Sequence, residues 1–292
     1  MNDFYINEYL DYLKYAKKYS KQTINSYENN LTKFNNYLKK QDILKVTSKT
    51  IEDYINHNSN LDHKTIAHYI TVLNSFYKYL LDNKTIKINP VETIKHPKIN
   101  MHLPVFLTED EINSLLAINL VTPYDYRNKA MLEILFATGI RISELINLKI
   151  QDVDTNNNAL KVFGKGSKER IIPIDNIARD SLINYLNNYR YLLLKKNINS
   201  DYLFINNLGK NISRIGFYKI IKKEAIRANI KKDISPHTIR HTFATILLKN
   251  GADLRVIQEL LGHSDIKTTQ IYTHLIQEQL KKEYLAKHPR NL

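Results

Sequence analysis

ALKVFGKGSKERIIPI (residues 159–174) is the stretch on which the reading of the fold turns. Its apolar residues recur with a period of two on either side of a centre that holds two glycines. A period of two sends successive side chains to opposite faces, as in a strand, and glycine permits the tight reversal between two strands. The segment therefore reads as an antiparallel hairpin with its tip at Gly164–Ser167. It interrupts a chain whose other patterned segments repeat every 3.6 residues. The expected fold is mainly α: an all-helical N-terminal domain, then a mostly α domain that carries one small antiparallel β-sheet.

Upstream of the hairpin, LTEDEINSLL opens with a threonine followed by acids, the signature of a helix start. Asp125 to Ala137 is a further helix stopped at Gly139, and Arg141 to Leu148 follows it as another. Still further upstream, residues 1–95 read as helices alone. Ser20 caps a helix from Lys21 to Lys40 whose apolar positions are Ile24, Tyr27, Leu31, Phe34 and Leu38. Thr47 or Ser48 opens a helix near Ile51. Lys64 to Leu81 places Ile66, Ile70, Leu73, Phe76 and Leu80 on one face. NPVETIKHPKINMHLP (residues 89–104) carries three prolines, which exclude helix continuation, so 96–104 reads as a linker between domains at 1–95 and 105–292. Downstream of the hairpin, helices are expected from Ile177 to the C-terminus.

The 292 residues suffice for two domains with a core each. Apolar residues make up 43%, with seven glycines and seven prolines, a globular composition. No run of eighteen apolar residues occurs, so no membrane insertion is expected. The opening MNDFYINEYLDYLKYAKKY is a helix pattern carrying acids and not a secretory leader. Absence of cysteine removes disulfides, thiol nucleophiles and thiolate metal sites, and fits a cytoplasmic protein. The net charge is +14, and it is shared: +5 up to residue 100 and +9 beyond. Such an excess points to a polyanionic partner, nucleic acid before membrane, with solubility as the bland alternative. Phosphate contacts of this kind supply affinity without reading sequence.

Several short motifs have the residue types of a phosphate site. In SPHTIRH (residues 235–241), Ser235 can cap a helix and Pro236 suits its first position. His237 and Arg240 then share a face in the first turn, beside free N–H groups and the positive end of the helix dipole. A surface arginine and a capping histidine would have the same spacing. His237 and His241 also stand four apart, as in a helical metal pair. Thr238, however, occupies the place where the zincin pattern needs glutamate, and no third ligand is evident, so no metal is expected. GKGSK imitates a phosphate loop, but its spacing is wrong and it sits in a hairpin, which excludes nucleotide binding. In ATGIRISELINL, Arg141 starts a helix behind Gly139. A solvated arginine, or the reading helix of a helix-turn-helix, would fit the same residues. GADLRVIQELLGHSD has a cap at Asp253 and a glycine stop at Gly262. His263 follows at once, and Tyr272 lies about two turns into the next helix. Taken alone, Tyr272 fits a packing role.

Together these stretches resemble a known family. ATGIRISEL, GKGSKER, SPHTIRHTFAT and LLGHSDIKTTQIYTH (residues 260–274) occur in the order found in the tyrosine recombinases. The last two, with GADLRVIQE between them and KHPR near the end, are especially similar to the bacterial Xer recombinases. The resemblance covers nearly the whole length and is strongest from Phe106 onward. It implies a helical core-binding domain and a catalytic domain that together clamp double-stranded DNA. It implies a catalytic set of Arg141, Lys165, His237, Arg240, His263 and Tyr272, with Tyr272 as nucleophile. Lys168 on the same hairpin is the other candidate for the lysine. Glu144, one turn after Arg141, is expected to orient that arginine.

The implied reaction suits these residue types. Charge grows on the nonbridging phosphate oxygens as the pentacovalent transition state forms, and two forked guanidiniums match them. A tyrosine hydroxyl, with a pKa of about 10, needs a base, for which His237 is the candidate. His263 would donate to the phosphate, and the hairpin lysine would protonate the leaving 5′ oxygen. No metal, nucleotide or other cofactor enters this scheme. A mobile-element integrase or a type IB topoisomerase would share the chemistry, and a non-cleaving DNA-binding regulator would share the folds. In LIQEQLKKEYLAKHPRNL, Ile276, Leu280 and Tyr284 recur every four residues with Leu285 beside them, one apolar stripe on a charged helix. It fits docking on its own domain. The resemblance points instead to a neighbouring protomer in a homo- or hetero-tetramer, and to contact with a DNA translocase similar to FtsK.

Overall fold

The computed structural model describes residues 1–97, 105–164, 169–194 and 199–262. The chain forms two compact units, Met1–His102 and Leu103–Leu292. The expected fold class holds: helices dominate, and the strands form one three-stranded antiparallel sheet. Among the described residues, no helix is long and apolar enough to cross a membrane.

The regular structure of the first unit is all helical among the described residues. Helix α1 (Asn2–Asp11) widens into a turn of π-helix at Tyr12–Ala16 and is followed by α2 (Lys21–Leu38), α3 (Ser48–His57) and α4 (His63–Asp82). Ser20 caps α2 by accepting from the Thr23 N–H, and Thr47, not Ser48, caps α3 by accepting from Thr50. The apolar stripes read from the sequence meet in one core of Leu31, Phe34, Ile51, Ile70, Leu73 and Phe76. Tyrosines extend it: Tyr9 and Tyr77 are buried, and each satisfies its hydroxyl, on Ser75 Oγ at 2.7 Å and on the Ile43 carbonyl at 3.0 Å.

The second unit builds its core around α6 (Pro123–Thr138), which follows α5 (Glu109–Leu116). Both start at capping boxes, Thr108 with Glu111 and Thr122 with Asp125. Next come α7 (Ile142–Leu145) and the sheet strands β1 (Val153–Asp154), β2 (Ala159–Phe163) and β3 (Glu169–Pro173). Then follow α8 (Asn176–Asn184), α9 (Arg214–Arg227), α10 (Pro236–Lys249) and α11 (Leu254–Leu261). The hairpin is in the register its alternation requires, with Leu160 opposite Ile172 and Val162 opposite Arg170. Leu160, Val162 and Ile172 are buried on its inner face.

Two segments differ from the expectation. The helix read from Arg141 to Leu148 ends at Leu145, because the chain beyond it pairs with a distant strand-like segment. Leu148 accepts from the Leu203 N–H at 2.8 Å, and Ile150 donates to the Asp201 carbonyl at 2.9 Å. The run of helices after Ile177 is likewise broken between α8 and α9. There the buried Arg190 gathers the carbonyls of Ser200, Tyr202 and Leu203, which holds the segment extended.

Candidate active site

Helix α6 ends at Gly139 because that residue is left-handed, with φ of 58°. The turn delivers Arg141 to the start of α7 as its capping residue. The Glu144 carboxylate reaches back to the Arg141 N–H at 2.8 Å and to Arg141 Nη1 at 3.2 Å. Four residues of helix thus suffice to fix Arg141 and Glu144 against each other, the pairing expected from their one-turn spacing.

Helix α10 starts as read, with Ser235 as cap, Pro236 at the first position, and Thr238 returning the hydrogen bond to Ser235. This puts His237 and Arg240 in its first turns. Arg240 is buried, and its two amino groups donate to the carbonyls of Gly139 and Leu261, the latter at 2.7 Å. The arginine therefore ties the end of α6 to the end of α11.

The end of α11 is where three guanidiniums meet. Arg170 Nε donates to the Leu260 carbonyl at 3.3 Å, Arg240 Nη2 to Leu261, and Arg141 Nη2 to Gly262 at 2.9 Å. The last carbonyls of a helix lack partners within it and carry the negative end of its dipole, so cations satisfy both needs. Gly262 closes the helix at φ of 63°, and a Cβ there would lie 2.9 Å from Arg170 Cζ. The next residue in the chain is His263.

Among the described residues, three arginines stand against one carboxylate, which leaves the cluster positive. Burial pushes the Glu144 carboxyl up. The hydrogen bond and charge of Arg170, with those of Arg141, outweigh this and hold it below the ordinary carboxylate range. His237 is open to solvent at its surface. Protein nonetheless crowds it enough that desolvation, and then the charges of Arg240 and Arg141, lower its pKa. His241 is lowered by desolvation, then by His237 and Arg240. A lowered pKa favours the neutral imidazole, the form that can accept a proton while the neighbouring guanidiniums bind an anion.

Arg141, Glu144, His237 and Arg240, spread over a hundred positions of sequence, are thus brought together. Lys165, His263 and Tyr272 lie outside the described residues, as does Lys168. The sequence reading did not single out Arg170, which holds both oxygens of Glu144 at 3.0 and 2.8 Å. Its signal was present: Arg170 stands two residues before Ile172, so the alternation puts a cation on the inner face of the hairpin.

Residues 105–279 match the model described as "Phage integrase family", and residues 6–84 match "Phage integrase, N-terminal SAM-like domain". The chain belongs to the phage integrase family, the tyrosine recombinases. Among its relatives is the tyrosine recombinase XerD of Oceanobacillus iheyensis, 40% identical over 296 residues, covering 99% of this chain and all of that one. The tyrosine recombinase XerD of Staphylococcus saprophyticus is 42% identical over 294 residues, covering 99% of each chain. Among solved structures, the XerA recombinase is 30% identical with a TM-score of 0.55, covering 99% of both chains. The XerH site-specific recombinase bound to a palindromic difH substrate, in a post-cleavage complex, is 26% identical. It has a TM-score of 0.75 and covers 90% of this chain and 79% of that one.

Proposed function

We infer that this protein is a site-specific DNA recombinase that cuts and rejoins DNA strands through a 3′-phosphotyrosyl intermediate. The observation that carries the reading is the convergence of Arg141 and Arg240 at the end of α11, one residue before His263, with His237 near enough to feel both their charges. Forked guanidiniums suit a phosphodiester whose nonbridging oxygens gain charge, where a point-charge ammonium does not. Tyr272 is assigned as nucleophile, His237 as its base, His263 as a phosphate donor, and Lys165 as the acid for the leaving 5′ oxygen. Attack exchanges one phosphodiester for another, so the second strand displaces tyrosine without ATP. Residues 1–95 are assigned to core binding and 105–292 to catalysis, on double-stranded DNA carrying specific sites.

The XerD relatives and the difH-bound XerH complex support a finer reading: resolution of chromosome or plasmid dimers at a dif-like site. In it the protein acts in the cytoplasm, as a tetramer with identical or related protomers, in contact with an FtsK-like translocase. The test is Tyr272→Phe, which removes one oxygen and keeps the ring. Mapping the chromosomal DNA bound by this variant identifies the site. On that site Tyr272→Phe is expected to bind as the wild type does and to form no covalent adduct. Adducts persisting in the variant would assign the nucleophile elsewhere, Tyr284 first.

A further inference from the structure

Glu144 is a buried carboxylate with two guanidinium partners, and they treat it differently. Its side chain is 4% exposed. Arg170 takes both oxygens, Nη1 on Oε1 at 3.0 Å and Nη2 on Oε2 at 2.8 Å. The Arg141 guanidinium reaches Oε1 only, at 3.2 Å, while its backbone N–H donates to Oε2 at 2.8 Å, and its other amino group goes to the Gly262 carbonyl. The Arg141 side chain is 37% exposed against 17% for Arg170. The less accessible arginine carries the carboxylate, and the more accessible one keeps donors that an incoming anion can reach.

The arrangement bears directly on phosphate binding. A carboxylate and a phosphate compete for the same planar fork, because both present paired oxygens to it. Without Arg170, the buried Glu144 would have Arg141, three residues before it, as its remaining charged contact. A buried carboxylate that loses its bidentate partner is costly, so Arg141 would turn its fork inward to replace it. Its charge would then be cancelled at the point where the scissile phosphate needs it. Arg170 does not leave with the substrate: its Nε holds the Leu260 carbonyl, and it packs against Gly262.

We propose that Arg170 is a positioning residue for strand cleavage: by carrying both oxygens of Glu144, it limits the Arg141 guanidinium to one longer contact with that carboxylate and keeps it available to the scissile phosphate. This rests on the assignment of Arg141 to the phosphate made above. Arg170 acts on the reaction through Glu144, and its substitution has a signature that loss of packing lacks. Arg170→Gln slows cleavage because the carboxylate captures Arg141. Removing the carboxylate as well, with Glu144→Gln, releases Arg141 again. The double variant is therefore faster than Arg170→Gln alone.

The experiment measures single-turnover adduct formation on a nicked duplex bearing the site recovered with Tyr272→Phe, alongside half-site binding by mobility shift. The chains compared are wild type, Arg170→Gln, Glu144→Gln and the double variant. Arg170→Gln is expected to lose on the order of 10- to 100-fold in rate, less than a donor that touches the transition state. Its half-site binding is retained, and the double variant recovers most of the loss. If Arg170→Gln does not fold, Arg170→Lys carries the same comparison. One ammonium cannot hold both oxygens, so this variant too is slow and is sped up by Glu144→Gln. A double variant as slow as its Arg170 parent, or an Arg170 variant as fast as wild type, overturns the proposal alone. A wild-type protein that forms no adduct on its mapped site defeats the recombinase reading and this proposal with it.

Discussion

A histidine that takes a proton from tyrosine must first lack one. His237 is lowered by desolvation first, then by the positive charges of Arg240 and Arg141. An ordinary histidine titrates at about 6.5, so His237 is expected to titrate below that value. An NMR titration of its imidazole, assigned with His237→Gln, checks this, and a midpoint at or above the ordinary value would refute it. Arg141→Gln removes one of the two charges, so it is expected to move the midpoint upward. The linkage to stability follows in sign. The folded protein binds this proton less readily than the unfolded chain does. The group's contribution is therefore intact above the unfolded pKa of about 6.5 and is lost as pH falls toward the folded value.

The junction of α6, α10 and α11 sets the distance between the arginines, and Gly139 is its tightest point. The residue is left-handed, and a Cβ there would lie 2.4 Å from Phe243 Cδ1 and 2.9 Å from Leu261 Cδ2. Two costs would add in Gly139→Ala. The left-handed backbone costs about 1–2 kcal/mol for a side chain, and overpacking about 1–3 kcal/mol. The variant is expected to lose ~2–5 kcal/mol in urea unfolding monitored at equilibrium, and adduct formation should fall with it. A loss within ~0.5 kcal/mol, the range of an ordinary surface change, would contradict the packing described here. The same junction explains why α7 needs only four residues: Arg141 and Glu144 are fixed by each other and by partners on β3 and α11.

The charge of +14, spread over both halves of the chain, suits a protein that meets DNA through more than one part of itself. Half-site binding and strand exchange are separable demands on such a molecule, since exchange needs further protomers on a second site. The tail beyond His274, outside the described residues, carries the apolar stripe of Ile276, Leu280 and Tyr284. Truncation after His274 is expected to spare binding of one protomer to a half-site, read by mobility shift. It should remove synapsis and the recombinant products of a two-site plasmid. Full recombination by the truncated protein would return the stripe to its own core.

Local chemistry made much of this molecule legible before its structure. The caps at Ser20, Thr108 and Ser235, the stop at Gly139 and the pairing of the two hairpin strands all depend on neighbours within a few positions, and each formed as read, while the tip read at Gly164–Ser167 lies beyond Gly164 outside the described residues. The candidates Arg141, Glu144, His237 and Arg240 were legible too, because motif order carries that information. Their meeting was not. Arg170 was passed over because one alternating arginine has no meaning until the buried carboxylate it pairs with is known, and that carboxylate is 26 residues away. The short α7 was hidden for a similar reason: Leu148 pairs with Leu203, and no periodicity in 141–148 records a partner so distant. Helix starts, turns and apolar faces are settled by steric and hydrogen-bonding choices within one or two turns. The three arginines at the end of α11 are settled by which unpaired carbonyls packing leaves within their reach, and that exists only in three dimensions.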